Sequence, residues 1–100
     1  MKRNGFIYIM TNHYNQVLYV GVTSNLSIRI NEHRTFAISK CFTNKYNCTK
    51  LVYYNKVFGN IGAAHIEEKR LKGGSRKQKI DLINYMNPEW TDLWENIKGW

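Results

Sequence analysis

The sequence predicts a small α+β domain: a three-stranded antiparallel sheet flanked by helices, in the order β-β-α-β-α-α. Two observations carry the sheet. Phe6-Ile7-Tyr8-Ile9-Met10 and Val17-Leu18-Tyr19-Val20-Gly21-Val22 are β-branched and aromatic runs, separated by the polar, Asn-rich Thr11–Gln16, which is the pattern of a hairpin with a longer loop. A third such run, Lys50 to Phe58, lies between segments with helical spacing, and that alternation sets the class. Neither a parallel Rossmann unit nor a GxxxxGK phosphate loop is present.

The first two strands are apolar on both faces, which predicts a sheet covered on both sides. Thr23-Ser24-Asn25 offers side-chain oxygens to cap a helix over about 25–36. Leu26, Ile30 and Ala37 form its apolar stripe, yet Arg29 and His33 fall on the same face. Residues from Ser39 to Thr49 read as irregular. After the third strand, Gly59-Asn60 precedes a helix over about 61–72, with Ile61, Ala64, Glu68 and Leu71 on one face. Gly73-Gly74 ends it. Ser75-Arg76-Lys77-Gln78 has the capping-box form and opens a helix over about 76–86, stopped by Asn87-Pro88. Trp90, Leu93, Trp94 and Ile97 at i, i+3, i+4 and i+7 predict a short terminal helix docking its aromatic face.

One hundred residues suffice for one core. The expected organisation is a single domain over 1–100, with a core over about 5–86 and the tail 87–100 docked on it. No apolar stretch approaches the roughly 20 residues that span a bilayer, and "MKRNGFIYIM" shows neither an h-region nor a cleavage site. Cys41 and Cys48 lack CxxC spacing and read as free thiols. These features predict a soluble protein of the cytoplasm. No spacing supports a zinc set from His33, His65, Cys41 and Cys48, and His13 and His65 read as surface or packing residues.

Charge is unevenly spread. Fifteen Lys and Arg against seven Asp and Glu give +8. Residues 1–79 hold fourteen of the bases and three acids, a net of +11, and residues 80–100 one base and four acids, a net of −3. Lys69, Arg70, Lys72, Arg76, Lys77 and Lys79 form the densest run. A patch of this kind favours a polyanion, and nucleic acid is the commonest one. Tyr53-Tyr54 and the C-terminal tryptophans read as core rather than base-stacking groups.

Arg29, His33 and Glu68 are thus ionisable groups on otherwise apolar helix faces, and each requires a partner if buried. On periodicity alone they fit an internal Arg29–Glu68 ion pair completed by tyrosine hydroxyls as well as they fit a catalytic cluster.

Phe6-Ile7-Tyr8, followed after ten residues by Tyr19-Val20-Gly21, resembles the paired signature of the GIY-YIG nuclease superfamily. "LYVGVTSNLSIRINEHR" resembles the segment after the second motif, with Arg29 at the family's arginine and His33 at its histidine. "AAHIEEKRLKGGSRKQKIDLI" resembles the later helix carrying the metal-binding glutamate, here Glu68. The likeness covers roughly residues 5–95 and is nearest to the small single-domain YhbQ-like (UPF0213) group. Phe6 departs from the eponymous glycine, with Gly5 one residue earlier; Gly74 stands where relatives often carry Trp. The late polar active-site residue has no firm counterpart, Asn84 being the nearest.

The resemblance implies a GIY-YIG-like fold and a divalent-metal-dependent endonuclease acting on nucleic acid, most naturally DNA. Its implied catalytic set is Tyr8, Tyr19, Arg29, His33 and Glu68. Glu68 would hold Mg²⁺ or Mn²⁺, since Mg²⁺ keeps most of its waters and takes few protein ligands. Arg29 and the metal would neutralise phosphoryl charge, and Tyr19 would position water or phosphate. Either Tyr8 or His33 would be the general base; Tyr8, with an ordinary pKa near 10, would need assistance. Gly21 lets the strand approach its neighbours closely. The expected arrangement is all five side chains on one concave surface, with Glu68 on the same face as the tyrosines. The rival expectation is a nucleic-acid-binding module of the same fold without catalysis, and a third is a protein-interaction domain. A protein partner could supply specificity in any of these.

Overall fold

The computed structural model describes residues 5–40, 48–57 and 61–100. Its elements are β1 (Gly5–Thr11), β2 (Leu18–Thr23), α1 (Leu26–Lys40), β3 (Lys50–Val57), α2 (Ile61–Gly73), α3 (Arg76–Met86) and α4 (Trp94–Ile97). The strands form an antiparallel sheet in the order β2-β1-β3. This is the expected α+β order. Among the described residues no helix is long and apolar enough to cross a membrane.

Local chemistry explains the joints. Asn12 is buried, and its Oδ1 accepts from Gln16 N (2.7 Å) and Val17 N (3.1 Å) to close the β1–β2 loop. Asn15 supplies the left-handed residue there, at φ 58°. Asn25 caps α1, accepting from Ile28 N at 3.2 Å. The helix runs to Lys40, into the segment expected to be irregular; residues 41–47, with Cys41, lie outside the described residues. Ser75 and Gln78 form the reciprocal capping box of α3.

The pleat of β1 divides the core in two. Tyr8 and Met10 pack with Leu26 and Ile30 of α1 and with Leu51 and Ile97. Ile7 and Ile9 pack with Val20, Val52 and Ile83 of α3, and Leu71 of α2 joins this second cluster. The sheet is therefore covered on both faces: α1 and α4 on the Tyr8 face, α2 and α3 on the reverse. A bulge marks β3. Ile9 pairs with Tyr53 and Met10 with Leu51, so Val52 is an extra residue. Its carbonyl accepts from Nδ2 of the buried Asn87 at 3.2 Å. Leu93 N also donates to Leu51 O (2.8 Å), and Leu51 N donates to Asp92 Oδ1 (3.2 Å). Residues 87–93 thereby satisfy backbone groups along the outer edge of β3.

Candidate active site

Tyr8 lies on the central strand, its side chain fully buried. Opposite it on β2 stands Gly21, and a Cβ at that position would run into the Tyr8 ring and hydroxyl. The phenol therefore lies across a strand that only glycine leaves bare. Its hydroxyl meets Nε2 of His33 on α1 at 3.0 Å. Tyr19, two residues before Gly21, brings its ring to 6.3 Å from Tyr8 and 5.1 Å from His33, and is 39% exposed at the sheet edge. Arg29, one turn before His33, directs its half-exposed guanidinium both to the Tyr8 oxygen and to Glu32, at 3.4 Å.

The protonation states follow from burial. Loss of solvent pushes the Tyr8 phenol up to about 12, against the opposing hydrogen bond and charge of Arg29. His33 is held below its ordinary value, first by burial and then by the Arg29 charge. Near neutral pH a protonated phenol thus faces a neutral imidazole, and with the ring proton on Nδ1 the phenol donates to Nε2.

Glu68 does not join this group directly, so the expected convergence of all five side chains on one surface is corrected to four of them, Tyr8, Tyr19, Arg29 and His33. The helix of Glu68 packs on the reverse face, with Ala64 against Gly5 and Leu71 among Ile7 and Ile9. Glu68 shares that packed stripe, 15% exposed, and pairs with Lys72 at 3.5 Å. The Lys72 ammonium lies 6.0 Å from the centre of the Tyr19 ring. Lys72 therefore links the carboxylate to the tyrosine around edge strand β2. The ion pair drawn from periodicity, Arg29 with Glu68, is corrected: α1 and α2 cover opposite faces, so Arg29 pairs with Glu32 and Glu68 with Lys72. The i,i+4 spacing of Glu68 and Lys72 is the sequence signal for this pair.

The basic run is largely engaged. Arg70 pairs with Glu67 and Lys77 with Asp81, while Arg76 donates to Gln16 O and Lys79 to Gly74 O. Lys69 is exposed. The run belongs to α2 and α3, so only Lys72 reaches the tyrosine cluster. Asn84 accepts from Trp90 Nε1 at 2.7 Å, a packing role on the α3 side. A cleft of about 890 Å³, lined by Ile7, Tyr53, Glu67 and Leu71 among others, also lies on the reverse face.

No group of three His, Cys, Asp or Glu able to hold a metal occurs among the described residues. Glu68, the donor expected for a cation, is a mostly buried carboxylate that already has an ammonium, Lys72, beside it. One carboxylate with bound waters suits Mg²⁺, provided that Lys72 moves aside. Trp90 and Trp94 are half-buried, in line with a core role, whereas Trp100 is 60% exposed, contrary to the core role expected for it.

A family model described as the GIY-YIG catalytic domain matches residues 4–81, a span that includes Tyr8, Tyr19, Arg29, His33 and Glu68. No curated protein and no solved structure matches the chain.

Proposed function

The chain belongs to the GIY-YIG catalytic domain family, and from that premise we propose that it is a divalent-metal-dependent endonuclease that hydrolyses phosphodiester bonds in DNA. The observation that carries this reading is the 3.0 Å contact between Tyr8 and His33, set beside a half-exposed Arg29 and an open Tyr19. A phenol raised to about 12 is almost never ionised near neutral pH, so free phenolate is too scarce to serve as the base. Coupled to neutral His33 it need never stand as one. Tyr8 is buried beneath Arg29 and Tyr19, so the attacking water would enter as those two half-exposed side chains move to bind the phosphate. As it gives its proton to the Tyr8 oxygen, Tyr8 gives its own to Nε2 of His33. The hydroxide attacks phosphorus, and the leaving oxygen departs and takes a proton from solvent. Arg29 offsets charge developing on the phosphoryl oxygens. Glu68 would hold Mg²⁺ or Mn²⁺, which supplies further charge neutralisation when bound. Within the family we place the chain with the small single-domain YhbQ-like group, on the motif stretches following Tyr19 and around Glu68. A basic chain acting on nucleic acid, with Cys48 as a free thiol, fits the cytoplasm.

A second reading, a nucleic-acid-binding module without catalysis, is favoured by one observation: Glu68 sits on the helix of the reverse face and is paired with Lys72. The two separate on a panel of labelled linear and branched DNA incubated with Mg²⁺ or Mn²⁺. The nuclease reading expects cleavage by the wild type, lost by at least about 100-fold in Tyr8→Phe and Glu68→Gln, with most binding retained because Lys and Arg supply it. A wild type that binds but cuts nothing, and whose melting temperature ignores both metals, is the binding module.

A further inference from the structure

Lys72 is the member of the basic run whose ammonium stands between Glu68 and the tyrosine cluster. It lies 3.5 Å from Glu68 Oε2 and 6.0 Å from the centre of the Tyr19 ring. The two ends of that bridge are unequal. Glu68 is mostly buried, so water screens it little and the ammonium supplies its counter-charge. Lys72 is half-exposed and carries its charge on a flexible four-carbon stem. It precedes Gly73, the last residue of α2, and the space beside Gly73 is open. Lys72 is thus the partner able to swing, and Glu68 the fixed one. The neighbouring bases are held elsewhere: Arg70 by Glu67, Lys77 by Asp81, Arg76 by Gln16 O and Lys79 by Gly74 O. Tyr19 is open to solvent, with a half-exposed Arg29 in the same cluster. A phosphodiester docked against the Tyr19 ring therefore comes within a Debye length of the Lys72 ammonium, about 10 Å at 0.1 M salt.

We propose that Lys72 is a positioning residue that couples the two ligands of the site. Without nucleic acid it occupies Glu68; when a strand docks at Tyr19 it swings to the phosphate backbone and leaves the carboxylate to Mg²⁺ or Mn²⁺. This rests on the nuclease reading and adds to it a link between substrate binding and metal loading. An ammonium and a divalent cation compete for one carboxylate oxygen, so whatever draws the ammonium off favours the metal. The effect is reciprocal: nucleic acid tightens metal binding by the same factor by which metal tightens nucleic acid. A metal–phosphate bond would also tie the two ligands together, yet it predicts no change in the metal affinity of the free protein when Lys72 is removed. The swing predicts that this affinity rises while the coupling falls.

The test uses a Tyr8→Phe background, which the nuclease reading expects to stop cleavage, with Lys72 kept or replaced by Met or Arg and folding verified by circular dichroism. Two quantities are read: the Mn²⁺ dissociation constant of the free protein, by calorimetry, and the dissociation constant of a labelled DNA duplex with and without saturating Mn²⁺. Glu68→Gln supplies the effect of Mn²⁺ on the duplex alone. Relative to it, Mn²⁺ should tighten duplex binding at least about five-fold when Lys72 is present. Lys72→Met should bind Mn²⁺ more tightly in the free protein, by a similar factor, and lose most of the tightening of the duplex. Lys72→Arg, which keeps a cation, should retain it. Unchanged Mn²⁺ affinity in Lys72→Met, or undiminished tightening, overturns this proposal alone. If no form binds Mn²⁺ and the wild type cuts no DNA, the nuclease reading itself falls.

Discussion

At Tyr8, two sequence-distant choices converge on one oxygen: glycine at position 21 gives the ring its place, and histidine at position 33 gives the hydroxyl its acceptor. Gly21→Ala would push a Cβ into a buried ring that has nowhere to go. We expect destabilisation of about 1–3 kcal/mol from overpacking, read as a fall in melting temperature, together with cleavage reduced as far as in Tyr8→Phe. A Gly21→Ala protein as stable and active as wild type would show that the phenol does not lie across that strand. His33 makes a second prediction, with its sign set by the depressed pKa. In the native state the imidazole resists protonation because it is buried beside Arg29, whereas in the unfolded chain it titrates near 6.5. As pH falls below about 6.5 the unfolded state binds the extra proton, so stability drops until the native pKa is passed and then levels. Melting curves between pH 7.5 and 5 should slope downward in wild type and less so in His33→Gln. Equal slopes would remove His33 from the acceptor role. Both tyrosines, Arg29 and His33 were readable from motif and helical spacing; their protonation states were not, because burial is a property of the packed fold.

Among the elements, α2 departs most from what spacing alone suggests. Ala64, Glu68 and Leu71 were legible as one stripe, but the strand patterns are apolar on both faces and so do not say which face a helix will cover. Contact between Gly5 and Ala64 decides it, placing α2 on the reverse face and leaving Lys72 to reach Tyr19 around the edge. The capping box of α3 was fully legible, since it depends on residues three apart; the bulge at Val52 was not, since it depends on the register of a partner strand and on Asn87. The Glu68–Lys72 pair gives this scale its prediction. An ammonium 3.5 Å from the carboxylate competes with any divalent cation for the same oxygen. Lys72→Met keeps the aliphatic length and removes the competitor. The melting temperature of Lys72→Met should therefore rise at lower Mn²⁺ concentration than that of wild type, and Glu68→Gln should not respond. Identical Mn²⁺ dependence in Lys72→Met and wild type would separate the lysine from the metal.

For the molecule as a whole, the C-terminal segment ties the two faces to one edge. Asn87 is a buried amide whose Nδ2 donates to Val52 O and Thr91 O while its Oδ1 accepts from Thr91 N and Oγ1. Arg34 of α1 joins the same region, donating to Thr49 O at 3.0 Å, pairing with Asp92 at 2.7 Å and lying 5.3 Å over Trp94. Further on, Ile97 enters the cluster of Tyr8, Leu26 and Ile30, so the segment that closes β3 also packs against the helix carrying Arg29 and His33. Two substitutions should then act differently. Asn87→Ala strands the bulge carbonyl and should cost about 1–3 kcal/mol, a fall of roughly 4–20 °C in melting temperature for a domain of this size, while the Tyr8–His33 pair is left packed. Ile97→Ala empties a fully buried position beside Tyr8 and should cost about 2–5 kcal/mol. Because its cavity opens under α1, it should also let water reach the imidazole and return the His33 titration, followed by NMR, toward 6.5. Asn87→Ala should leave that titration where it is. If both variants lose stability and neither moves His33, the tail is a clasp on the sheet edge with no hold on the candidate site.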